Sequence, residues 1–174
     1  MSAPEPAALA EEGKRLFKQG RFDEAADRFE QAAHGFTLGR AGLLAAEMKN
    51  NQSVALFKAG RPRRALEAAL GTEQVFAGAG DTKREAVALG NIAAAHEALG
   101  NLDDALAHYQ RSADGLAQVG ERELRATVLK AMAAVHLKQG RPTESGLKML
   151  ATLEAEPRPN FMQRLLLSVL HIRR

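Results

Sequence analysis

The chain contains no cysteine and no tryptophan, and only one tyrosine. Without cysteine there are no disulfides, no thiol catalysis and no Cys-ligated zinc, a usage that fits a reducing compartment. Aromatic residues make up 5% of the sequence, too few for a platform that stacks nucleobases. An excess of one charge is also missing: 24 Lys and Arg face 21 Asp and Glu, a formal net charge of +3. No apolar run is long enough to span a membrane. The stretch Met1 to Glu12 is acidic and rich in Pro and Ala. It lacks the basic region of a signal peptide, so the expected location is cytoplasmic. No segment alternates apolar and polar residues with β-branched enrichment, so strands are not expected and the fold class is all-α. What is present is a hydrophobic content of 45% over 174 residues, enough to bury one substantial core.

The sequence repeats. Lys18-Gln-Gly20-Arg, Lys58-Ala-Gly60-Arg, Leu99-Gly100-Asn and Lys138-Gln-Gly140-Arg place glycines at 20, 60, 100 and 140. Five residues after each glycine is a small residue: Ala25, Ala65, Ala105 and Ser145. Four residues before each is Leu16, Leu56, His96 or His136. Each glycine ends an apolar-periodic run and suits the left-handed position that terminates a helix. Pro62 and Pro142 then suit a first helical position. Asn101 followed by Asp104, and Thr82 with Glu85, read as helix starts. The unit is therefore helix, tight turn, helix, with the small residue allowing close approach. Helices are expected near 8–19, 22–38, 41–59, 62–77, 82–99, 102–119, 121–139, 142–155 and 160–172.

This pattern resembles the tetratricopeptide repeat (TPR) family. The first copy carries its signature at Leu9, Gly13, Leu16, Gly20, Phe22, Ala25, Phe29 and Ala32. The third carries it at Leu89, Ile92, Ala93, Gly100, Leu102, Ala105 and Tyr109. Ordinary TPRs repeat about every 34 residues. The longer period here, with Ala88-Leu-Gly-Asn-Ile-Ala93, is similar to the LGN, Rap and kinesin-light-chain groups. The resemblance implies a right-handed α-solenoid of four helix hairpins, because a single hairpin cannot bury its own apolar face. The hairpins are expected at about 8–40, 41–80, 81–120 and 121–156, after a short tail at 1–7. The segment 157–174 follows Pro157-Arg-Pro159 and reads as a capping helix, or as a helix that docks on a second copy and makes the chain a homo-oligomer.

Little in the sequence points to catalysis. The paired acids Asp23-Glu24 and Asp103-Asp104 sit where first-turn acids favour the helix dipole. His96 and His136 occupy equivalent sites on successive hairpins but have no HExxH or His/Asp cluster around them. No catalytic residue, metal or cofactor is expected, and the protein reads as non-enzymatic.

The resemblance instead implies a concave groove lined by the first helix of each hairpin. Copy one contributes Lys14, Phe17 and Lys18, and copy two Asn50, Asn51, Val54, Phe57 and Lys58. Copy three contributes Asn91 and Ala94, and copy four Lys130, Leu137 and Lys138. Asn51 and Asn91 share one repeat position, and a side-chain amide can serve both an N–H and a C=O of an extended chain. The chaperone-tail clamp of some relatives is not expected, because Val87 and Asn91 stand where its cations belong. The reading is an adaptor that holds a peptide or helix of another protein, with the lysines favouring an acidic one. A basic rim of Arg21, Arg61, Arg63, Arg64 and Arg141 is the weaker basis for a nucleic-acid binder.

Overall fold

The computed structural model describes residues 5–142 together with Glu144 and Leu147. Its elements are α1 (Pro6–Lys18), α2 (Phe22–Leu38), α3 (Gly42–Lys58), α4 (Pro62–Ala69), α5 (Thr72–Gly78), α6 (Thr82–Ala98), α7 (Leu102–Gln118) and α8 (Arg122–Lys138). There is no strand among the described residues. Pro142, Glu144 and Leu147 are helical and open the second helix of the fourth hairpin. The expected capping helix and residues 157–174 lie outside the described residues.

Apart from the α4–α5 step, each helix packs on the next, and α3 also packs on α6, so successive hairpins stack as a solenoid. The turn chemistry sets the register. Residues 20, 60, 80, 100, 120 and 140 are glycines with positive φ, and Arg40 takes the same conformation at φ 57°. At every one of these turns the next N–H reaches back to a carbonyl five residues earlier. Arg21 to Leu16, Ala41 to Phe36, Arg61 to Leu56 and Asp81 to Phe76 close at 2.8–3.0 Å. These bonds satisfy carbonyls that a helix end would otherwise leave orphaned. The sequence shows four of the turns through their glycines at 40-residue spacing. The structure shows that the return turns use the same device, so α2, α3, α6, α7 and α8 are all 17-residue helices.

Arg40 is the exception in composition. An L-residue in this conformation costs about 1–2 kcal/mol, a cost glycine escapes at some loss of chain entropy. The Arg40 side chain is exposed and makes no ion pair among the described residues. Arg40→Gly is therefore expected to stabilise the protein by roughly 0.5–1 kcal/mol, raising Tm by a few degrees. A calorimetric scan showing a lower Tm would contradict this account of the turn.

Two local expectations need correction. The single helix expected over 62–77 is broken: α4 ends at Ala69, Leu70 is extended at ψ 131°, and Gly71 is left-handed at φ 86° before α5 starts. The Thr72 hydroxyl donates to the Ala69 carbonyl at 2.7 Å, serving one acceptor that the break frees. The caps also differ. Asp81, not Thr82, caps α6 by accepting from the Arg84 N–H at 2.9 Å. Asn101 makes no cap bond and lies with its amide 3.4 Å from His96 Nδ1 instead. Pro62 does occupy the start of α4.

The core is built largely of alanine. Ala25, Ala65 and Ala105, the small residues after three of the glycine turns, are fully buried. Phe29, Leu16 and Leu56 fill a cluster in the first two hairpins, and Tyr109, Leu129 and Met132 fill one in the last two. A small third cluster of Ala46, Phe76 and Ala88 lies at the middle, joining α3, α5 and α6. Gly13 is where α1 crosses Phe29: a Cβ there would lie 2.8 Å from the ring.

Candidate functional site

The first helices α1, α3, α6 and α8 stand side by side, and clefts open between them at two places. Between α1 and α3 lies a cavity of about 380 Å³ walled by Phe17, Phe29 and Val54. Its rim carries Lys14, Lys18, Glu47 and Asn51. Between α6 and α8 lies a second cavity of about 250 Å³, lined by Asn91, Ala94, Tyr109, Thr127, Val128 and Ala131 among others. The two share four repeat positions. Lys14 corresponds to Ala94, Glu47 to Thr127, Asn51 to Ala131, and the floor residue Phe29 to Tyr109.

The expected groove residues divide. Lys14, Phe17, Lys18, Asn51 and Val54 come together around the first cavity, and Asn91 and Ala94 line the second. Phe57, Lys58, Lys130, Leu137 and Lys138 are exposed but line neither cavity. The floors were not anticipated, because Phe29 and Tyr109 belong to the second helices. Their signal was present all the same, as the large residue nine positions after Gly20 and Gly100.

The asparagines part company. Asn91 donates through its amide to Asn50 Oδ1 at 2.9 Å, tying α6 to α3. Asn91 is therefore an internal bridge, and the matched pair expected with Asn51 is not formed. Asn51 is half-buried and makes no side-chain hydrogen bond among the described residues. Beside the Asn bridge, Arg84 spans from α6 to Glu47 on α3 at 3.3 Å while also pairing with Asp81. The middle cleft is thus crossed by polar contacts.

Charge in the groove is more balanced than the lysines alone suggest. Lys138 is held by Glu97 at 2.6 Å across α8 and α6. The other Glu97 oxygen accepts from the Tyr109 hydroxyl at 2.9 Å. Burial first, then the Glu97 charge, pushes the Tyr109 hydroxyl well above its ordinary pKa. Lys14 pairs with Glu11 in an exposed contact, which raises the lysine pKa and lowers that of the glutamate. Lys18 and Lys58 make no ion pair among the described residues. On the rim, Arg21 pairs with Glu24, Arg61 with Asp23 at 3.7 Å and Arg141 with Glu144 at 3.9 Å. Three of the five rim arginines thus face acids, while Arg63 and Arg64 are exposed and make no ion pair among the described residues.

Among the described residues the histidines form no metal site. His96 stacks on His108 of the neighbouring helix, with centroids 5.3 Å apart, and does not meet His136. Burial and the nearby His108 lower the His96 pKa, partly offset by Asp104. His136 lies 2.8 Å from Glu144. Among the described residues no group of His, Asp and Glu could hold a metal ion. Nor is any described helix long and apolar enough to cross a membrane.

Stacked helix hairpins in constant register, with clefts between their first helices, define an α-solenoid repeat protein. Residues 84–145 match the Tetratricopeptide repeat family. That match covers α6, α7, α8 and the start of the following helix, and the chain as a whole has the fold of TPR-like repeat proteins. It is similar to the structure of BtubC (BKLC) from P. vanneervenii, with a TM-score of 0.77 and 15% identity over 92% of this chain and 70% of that one. It is also similar to nearly identical TPR-like repeats, of kinesin-light-chain type, from Podosopora anserina. There the TM-score is 0.75, with 16% identity over 94% of this chain and 83% of that one. No curated protein matches the chain.

Proposed function

We propose that the protein is a non-enzymatic adaptor that holds a segment of a partner protein in the groove formed by α1, α3, α6 and α8. One observation carries this reading. At the α1–α3 cavity, Phe17, Phe29 and Val54 surround an apolar space, while the Asn51 amide stands on its rim with no side-chain hydrogen bond among the described residues. An apolar pocket beside an unsatisfied amide suits a peptide that inserts a side chain and presents its backbone. TPR folds in general serve protein–protein interaction, which supports the reading.

The test is selection of a random-peptide display library on the intact chain, followed by titration of the enriched peptides. Asn51→Ala is expected to weaken them by roughly fivefold to tenfold, the worth of a hydrogen bond or slightly more. Asn91 is left unchanged because it holds α3 to α6. Val54→Arg, which fills the cavity, is expected to abolish binding. Circular dichroism should show both variants folded. Folded variants that bind as well as the parent would end the groove reading.

A further inference from the structure

We infer that the partner segment is an extended chain with two apolar side chains six residues apart and a carboxylate beside the first. This rests on the groove reading above and specifies its ligand. The two cavities overlap in repeat position, sharing four lining positions, with Phe29 under one and Tyr109 under the other. They are separated by two helix-to-helix steps, from the α1–α3 cleft to the α6–α8 cleft. Packed helices lie about 8–10 Å apart, so the cavities are separated by about 16–20 Å. An extended chain advances about 3.3 Å per residue, which gives five or six residues. Only an even number keeps both side chains on one face, and that selects six.

The surface between the cavities agrees. The Asn50–Asn91 bond and the Arg84–Glu47 pair make a polar saddle across α3 and α6. Residues between the two anchors therefore meet polar groups and need not be apolar. The ends of the site also differ in charge. Lys18, which makes no ion pair among the described residues, stands at the first cavity beside Lys14, which pairs with Glu11, and Lys58 lies one turn beyond Val54. The opposing Glu47 is itself engaged by Arg84. The second cavity has no Lys, Arg, Asp or Glu in its lining. A carboxylate is thus complemented only at the α1 end, which sets the direction of the bound chain. The unpartnered Asn51 amide favours an extended segment over a helix, since a helix has already satisfied its own backbone.

The test uses fluorescein-labelled peptides in a Ser/Gln host, read by fluorescence anisotropy with the full chain. Each has Asp-Leu at its start and a second Leu three, five or six residues after the first; a fourth peptide has a single Leu. The six-residue spacing is expected to bind roughly tenfold more tightly than the other three, the effect of one added buried leucine. Thr127→Arg, an exposed position at the second cavity, is expected to remove that advantage and leave the single-Leu peptide unaffected. Replacing the peptide Asp by Lys is expected to weaken binding at low salt more than at high salt. Equal affinity at all spacings, or no effect of Thr127→Arg, would overturn the two-anchor ligand while leaving the groove in place. An indifference to the Asp-to-Lys change would overturn the assigned direction. If none of these peptides binds but library-selected peptides do, the inference fails alone. If neither kind binds, the groove reading fails with it.

Discussion

Phe76→Ala is expected to destabilise the protein by about 3–5 kcal/mol, the cost of truncating a fully buried phenylalanine. Its place in the solenoid gives the loss a particular form. Phe76 is 1% exposed, and α5 buries only this residue and Thr72. With Ala46 and Ala88 it forms the small cluster between the larger cores of the first and last hairpins. The Arg84 guanidinium lies over its ring at 5.5 Å, so the same residue also seats the arginine that reaches Glu47. A repeat protein is stabilised by each unit and by its interface with the next. Weakening the middle interface should separate the two halves energetically. Urea unfolding of the variant is expected to show a shallower transition or two resolved steps, where the parent shows one. A variant that unfolds at the parental midpoint with the parental slope would refute the role given to this cluster.

Ala105→Leu is the second large effect, and it acts in the opposite direction, by overfilling. Ala105 has no exposed surface and sits one turn into α7, on the face that packs on α6. Those two helices share the most extensive interface of the chain. Added methylenes have nowhere to go in a packed interior and typically cost about 1–3 kcal/mol. The cost here should reach the top of that range, because Ile92, Ala93 and Ala95 of α6 are also fully buried and leave no space. Ala107→Leu, on the exposed side of the same helix, is the control and should change stability by no more than about 0.5 kcal/mol. Equal melting temperatures for the two variants would remove the argument that these alanines set the helix spacing.

The repeat made most of the fold legible from the residues alone. Left-handed turns at Gly20, Gly60, Gly100 and Gly140 follow from local chemistry, as does the start that Pro62 marks. The structure keeps them within a residue or two. Position-specific burial was legible too: Leu9, Leu16, Leu89 and Ile92 are buried where the repeat places them. The break at Leu70–Gly71 was not. A glycine inside an apolar-periodic stretch is compatible with a continuous helix, and only the packing of α4 and α5 on α6 makes it a bend.

The positions that line the first cavity were legible, and the contacts among the expected residues were not. Asn51 and Asn91 have one repeat address, so sequence position alone makes them equivalent. Yet the position that Asn50 fills in the second copy is Ala10 in the first. Asn91 therefore has a neighbour on the preceding hairpin to bond with, and Asn51 does not. Lys138 looked available for a ligand until α6 brought Glu97 to it. The residues determined the two-helix unit, its turns, its period and the face each helix buries, because these depend on interactions within about twenty positions. Which amides and cations stay unpartnered, and which clefts open, was decided only by tertiary stacking. Those outcomes depend on side chains some forty residues apart, whose meeting no local pattern encodes.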